Sequence, residues 1–130
     1  MDTNEHEGRR LLHGQLVYSI IGCAIEVLRE VGHGLHEQPY ERALVIELGL
    51  RKLSVDQQKR FDVRYKGIVI SEFIPDLIVA ETIIVDTKVI PQIGDYERGQ
   101  MLNYLRITQR RVGLIINFKK PKLEWERLVL

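Results

Sequence analysis

The sequence predicts an α/β domain in which a mixed β-sheet is flanked by helices. Two helical stripes open the chain, strand-like runs with a hairpin signal follow them, and a further helix precedes another apolar run that must return to the sheet. This helix–helix–β–β–β–α–β order belongs to layered α/β sandwiches, not to all-helical or all-β folds.

Each element has a local reason. Gln15 to Glu30 sets Leu16, Ile20, Ile21, Ala24, Ile25, Val27 and Leu28 on a helical stripe. Gly32-His33-Gly34 ends it, because glycine takes the conformations that terminate helices. A second helix is expected from about Glu37 to Leu53, carrying Tyr40, Ala43, Leu44, Ile46, Glu47 and Leu48. Pro39 fixes its start near Glu37, since proline's missing N–H is harmless only in a first turn. Val55 to Lys66 alternates Phe61, Val63 and Tyr65 as an exposed strand would, and Lys66-Gly67 makes a turn. Ile68 to Val79 reads as one long strand bending at Pro75, closed by Ala80 to Thr82 into the strand Ile83 to Ile90. Pro91 and Gly94 interrupt the chain, and Asp95 is the expected N-cap of a helix from Tyr96 to Arg106. Arg111 to Phe118 follows this crossover helix and is expected to lie parallel to a neighbouring strand. Leu123 to Leu130 fits a short final strand. With no repeat or linker in view, residues 15–130 are expected to form a single domain, behind a polar, mobile N-terminal segment of residues 1–14.

Composition narrows the setting. A chain of 130 residues, 45% hydrophobic, can bury roughly two-thirds of its unfolded surface and needs no disulfide scaffold. The single cysteine, Cys23, lies in an apolar stretch and cannot form an internal bridge, which suits a reducing cytoplasm. No segment reaches the roughly 18 apolar residues of a membrane helix, so no membrane association is expected. The net charge of +1 is uneven: Arg98, Arg106, Arg110, Arg111, Lys119, Lys120 and Lys122 lie in a stretch with no acid, leaving −6 for the rest. That asymmetry suggests a side facing a polyanion, or else cations dispersed over a solvated surface.

The informative residues are Asp76, Asp86 and Lys88, ionisable groups inside the apolar runs Phe73-Ile74-Pro75-Asp76-Leu77-Ile78-Val79 and Ile83-Ile84-Val85-Asp86-Thr87-Lys88-Val89-Ile90. A buried carboxylate without compensation costs several kcal/mol or more. With a three-residue loop, Val79 faces Ile83, Asp76 falls opposite Asp86, and Lys88 shares the face of Asp86. A two-residue loop would set the acids diagonally instead. Ile74, Ile78, Ile84 and Ile90 are the expected neighbours on that face. Two close carboxylates repel, and one is driven neutral unless a cation lies between them. A hard divalent ion, Mg²⁺ or Mn²⁺, suits oxygen ligands, and no Cys/His set has zinc spacing. A hairpin in which Lys88 merely neutralises one acid is the competing reading.

These segments resemble a known group. Gly34-Leu35-His36-Glu37-Gln38-Pro39-Tyr40 is similar to the Gly-x-x-Glu-x-x-Tyr motif of the GxxExxY family. Pro75-Asp76 with Asp86-Thr87-Lys88 resembles the signature of the PD-(D/E)XK nuclease superfamily, in which that family is placed. Gln100-Met101-Leu102-Asn103-Tyr104 resembles the Gln-x-x-x-Tyr motif of RecB-like nucleases. The likeness covers about residues 15–130 and implies a restriction-endonuclease-like core.

It also implies a metal-dependent nuclease that hydrolyses phosphodiester bonds of nucleic acid, DNA ahead of RNA. Asp76 and Asp86 would ligate Mg²⁺ or Mn²⁺ with the Thr87 carbonyl, and Lys88 would hold or help activate the attacking water. Glu37 would be a further acid of the site, and Tyr40, Gln100 and Tyr104 would face substrate. Gln100 and Tyr104, spaced i, i+4, share one helix face. The residues alone leave other roles open: Glu37 as a helix-dipole acid, Tyr40 as a core aromatic, and Gln100 and Tyr104 as a packing pair. Asp86 stands where the family often carries glutamate, and Pro39 within the entry motif is unusual for it. A second copy or a protein partner is an expected aid to substrate choice. A non-catalytic nucleic-acid or protein-binding module of the same fold, and a hydrolase of smaller phosphorylated substrates, are the alternatives.

Overall fold

A computed structural model describes residues 13–130, so all but the last two residues of the expected mobile segment lie outside the described residues. Helix α1 (Gly14–Val31) and helix α2 (Glu37–Leu50) come first. Strands β1 (Val55–Asp56), β2 (Phe61–Tyr65), β3 (Ile68–Phe73), β4 (Leu77–Val79) and β5 (Ile83–Lys88) follow. Helix α3 (Asp95–Thr108) then leads to β6 (Val112–Asn117) and β7 (Glu124–Val129). A five-stranded mixed sheet runs β1-β4-β5-β6-β7, and β2 pairs only with β3. The β5–β6 pair is parallel, as a crossover helix requires, and every other pair is antiparallel. The architecture is that of a restriction-endonuclease-like α/β core, as expected.

Both sheet faces are buried, which is why β5 and β6 read as nearly unbroken apolar runs. On one face Leu77, Val79, Ile83, Val85, Leu114 and Ile116 pack under α1 and α2. On the other, Ile78, Ile84 and Ile115 meet Met101 and Leu105 of α3. Alternation along β5 therefore turns Asp86 toward α3, on the face of Ile84.

Several boundaries differ from expectation. The helix predicted to reach Leu53 stops at Leu50, because Lys52 takes the left-handed conformation (φ 62°). Its N–H donates to the Gly49 carbonyl and that of Leu53 to the Leu48 carbonyl, a Schellman ending built without glycine. The expected Val55–Lys66 strand is two strands in different sheets, and so is the expected Ile68–Val79 strand. Residues 74–76 separate β3 from β4, where Pro75 has no N–H to give to a ladder. The N-cap before α3 is Gly94, not Asp95; the Gly94 N–H donates to Glu97 Oε1 at 2.8 Å.

Candidate active site

The hairpin register is the one a three-residue loop demands: Val79 pairs with Ile83 and Leu77 with Val85. The ladder stops one step short of Asp76 and Asp86, yet continuing it sets them opposite each other. Asp76 is fixed by its neighbour across the hairpin, since its Oδ2 accepts from the Thr87 N–H (3.2 Å) and from Thr87 Oγ1 (3.5 Å). Thr87 is fully buried, so this anchor is shielded from water.

Asp86 is only 7% exposed, and its Oδ2 has no hydrogen-bond partner among the described residues. Lys88 Nζ lies 3.3 Å from that oxygen as an ion pair. Burial pushes the Asp86 carboxyl up to about 8; Asp76 adds to the rise by hydrogen bond and by charge, against the pull of Lys88. Lys88 in turn donates to Gln100 Oε1 at 3.2 Å. Burial works to lower its ammonium, but Asp86, then Glu37 and Tyr104, outweigh that and raise it. Lys88 is therefore a cation at neutral pH, a donor and not a base.

Glu37 stands at the first turn of α2, exposed at the edge of this group. Partial burial raises its carboxyl, Asp76 raises it further, and Lys88 opposes both. Glu41, one turn on, is raised by burial, Asp76 and Glu37 in that order, against Arg42. Sequence reasoning passed over Glu41. The i, i+4 spacing from Glu37 was the available signal, since it puts both acids on one face. On the opposite side, Tyr104 stacks on Phe73 with centroids 4.0 Å apart, and burial followed by Asp86 raises its phenol.

Asp76 is held by Thr87, Asp86 pairs with Lys88 and Lys88 bonds Gln100, while Glu37 and Tyr104 feel the charges of this group from either side. Tyr40 is placed differently. It is fully buried rather than facing a substrate: its hydroxyl donates to the Gly32 carbonyl (2.6 Å), accepts from the Leu35 N–H (3.1 Å), and its ring stacks on Phe118 at 4.7 Å. It therefore shapes the loop ahead of Glu37. Ile74, expected among the apolar neighbours of the acids, is 44% exposed, because the chain leaves the sheet at Pro75. Asn117 was also missed. Nearly fully buried, it accepts from the Ile90 and Lys119 N–H groups and donates to the Ile90 carbonyl and Glu124 Oε1. That brace orders the chain just after Lys88.

Part of the basic stretch is committed elsewhere. Arg98 holds Glu126 through two hydrogen bonds of 2.7 and 2.8 Å and Asp95 through a third of 2.9 Å. Arg106 donates to Asn103, and Arg110 to the Glu81 and Thr108 carbonyls.

Among the described residues no group of three or more His, Cys, Asp or Glu side chains is arranged around a metal position. The donor set nevertheless fits a hard divalent ion. Such an ion accepts few protein carboxylates and keeps several waters, and Asp86 Oδ2 is a buried carboxyl oxygen that lacks a hydrogen bond among the described residues. A cavity of about 550 Å³ opens beside Glu37. The larger one, about 740 Å³, lies between α1 and β7 around Tyr18, Ile25 and Trp125, and no acid among the described residues lines it. No helix among the described residues is long and apolar enough to cross a membrane.

Comparison with known proteins agrees with this geometry. The family model described as PD-(D/E)XK nuclease superfamily matches residues 14–128. No curated protein and no solved structure matches the chain.

Proposed function

The chain belongs to the PD-(D/E)XK nuclease superfamily, and on that premise we propose that it is a divalent-metal-dependent nuclease whose substrate is DNA. Nucleases of this superfamily generally use divalent metals and bind nucleic acid. The observation that carries the proposal is Asp86, a buried acid beside Asp76 with one oxygen lacking a hydrogen bond and a protonated lysine 3.3 Å away. A purely structural ion pair would complete the hydrogen bonding of that oxygen, because leaving it bare costs stability.

Asp76 and Asp86 would hold Mg²⁺ or Mn²⁺, with the Thr87 carbonyl as a further oxygen donor. When bound, the ion supplies Lewis acidity and makes water a better nucleophile. Thr87 keeps Asp76 oriented without taking its second oxygen. Lys88, held by Gln100, would donate to the attacking water or to a phosphoryl oxygen as charge develops there. Glu37 is suited to accept the water's proton, because its raised carboxyl is a better base than an ordinary one. Tyr104 would meet the substrate from α3, and Tyr40 would position the Glu37 loop.

Within the superfamily we propose the GxxExxY family as its place. Support comes from Gly34 at a φ of 106°, Glu37 opening α2, and Tyr40 tying that opening to the sheet through Phe118. A reducing cytoplasm is the proposed setting, with Cys23 as a buried core thiol. A second copy or a protein partner is the proposed aid to substrate choice.

Labelled DNA and RNA should be incubated with the protein with and without Mg²⁺ or Mn²⁺, beside Asp86→Asn and Lys88→Ala. Metal-dependent cleavage of DNA, reduced at least about 10²-fold in each variant, is the expected result. Binding without cleavage under every metal condition would replace this reading with a non-catalytic module.

A further inference from the structure

The cavity beside Glu37 has a built form that the reading above does not use. His33, His36 and Glu37 line one wall, and Val89 and Lys119 the other. Its volume, about 550 Å³, lies in the range of roughly 300–1,000 Å³ typical of small-ligand sites. Glu37 belongs both to this cavity and to the acidic group, where it feels Asp76 and Lys88, so the two are contiguous.

Both walls are held by the same stacked pair. Tyr40 ties down the Gly32–Leu35 loop through its hydroxyl, and its ring lies on Phe118, the residue before Lys119. The Phe118 N–H donates to the Lys88 carbonyl at 2.9 Å, and buried Asn117 fixes the backbone of both Ile90 and Lys119. Pre-ordered walls lower the cost of binding. The donors suit an anion: an ammonium group with no ion-pair partner among the described residues, and two exposed imidazoles that each carry an N–H. Gly34, at a φ of 106°, keeps this wall free of a side chain where its backbone turns.

We propose that this cavity receives a phosphate group of the polynucleotide next to the bond that the acidic group would cut, with Lys119, His33 and His36 as its contacts. This rests on the nuclease reading and extends it. A terminal phosphate monoester and an internal phosphodiester share the required chemistry. The site lies beyond the C-terminal ends of the parallel strands β5 and β6, where α/β sheets commonly bind ligands.

The test measures oligonucleotide binding across a salt series in an Asp86→Asn background, comparing Lys119→Ala, His33→Ala with His36→Ala, and Lys120→Ala. Lys120 shares the loop but does not line the cavity. Loss of Lys119 should weaken binding several-fold and lower the salt slope by about 1. The histidine pair should weaken binding less, and Lys120→Ala least. In the otherwise unaltered protein, Lys119→Ala should raise KM more than it lowers kcat. Oligonucleotides with and without a 5′-phosphate separate the two sources: an equal loss on both assigns an internal phosphodiester, and a loss confined to the phosphorylated one assigns a terminal group. Wild-type affinity and slope in Lys119→Ala and in the histidine pair would overturn the proposal, and so would an effect of Lys120→Ala as large as that of Lys119→Ala. If the unaltered protein neither binds nor cuts any polynucleotide, the nuclease reading falls first and this one with it.

Discussion

Asp86 carries opposite demands at one carboxyl. The fold encloses it and puts Asp76 against it, so without a cation it favours the neutral acid up to a pH of about 8. Its ordinary value is 3.8, so the folded value is the higher one. The stability it contributes is then complete below the unfolded value and is lost as pH rises through the folded one. Metal-free protein should therefore lose thermal stability relative to Asp86→Asn as pH rises from about 4 to about 8. Melting curves over that range check this, and a constant difference between the two proteins would contradict it. Residues of this kind were legible in the sequence because charge inside an apolar run demands a partner. Glu41 was less so, since an acid on a helix with an exposed face has an ordinary explanation in solvent. For Tyr40 the sequence leaves a substrate-facing role and a core aromatic both open, and the structure takes the second; sequence does not say whether a phenol turns outward or closes onto a loop eight residues back, as its bond to Gly32 does.

At the scale of elements, the short strand β4 decides the geometry. Only Leu77, Ile78 and Val79 pair with β5 before Pro75 turns the chain out of the sheet, and this leaves half-buried Asp76 at a strand end with its Oδ2 held by Thr87. The hairpin β2–β3 leaves from the same point, and its base is pinned by the Phe73–Tyr104 stack. Phe73→Ala should cost about 1–2 kcal/mol in urea melts, below the roughly 3–5 of a fully buried phenylalanine. It should weaken substrate binding more than its stability loss explains, because Tyr104 loses its support; unchanged KM would argue against that role. Helix α3 sits tightly on β6, where a Cβ at Gly113 would clash with Met101 Sδ and come within 3.3 Å of Leu105. Gly113→Ala should destabilise by about 1–3 kcal/mol through overpacking and displace Gln100 from Lys88. Retained stability with full cleavage would contradict that. The hairpin loop and the parallel pairing of β6 were readable because loop length and crossover fix them. The split at Pro75 was not, because residues on both sides share the same β-forming character and only the tertiary fold sends them to different sheets.

Across the whole molecule, two cores clamp one sheet, and the acidic group lies where α2, the β4–β5 hairpin and α3 meet. That meeting point brings together motifs spread from Glu37 to Tyr104 in sequence, which the proposed function assigns to one site. The uneven charge foreseen from composition survives only in part: Arg98 is drawn into Glu126 and Asp95, joining α3 to β7, whereas Lys119 remains beside the site cavity. Sequence separates such cations poorly, since a local count of charges does not reveal which acids the fold brings near. On the proposed reading, Asp76 and Asp86 together hold a divalent ion. Calorimetric titration of Mn²⁺ into the protein and into Asp86→Asn, in two buffers of different ionisation enthalpy near neutral pH, tests it most directly. One binding event that releases a proton, and that Asp86→Asn abolishes, is the predicted outcome. Equal heats in both proteins, or no heat in either, would contradict it.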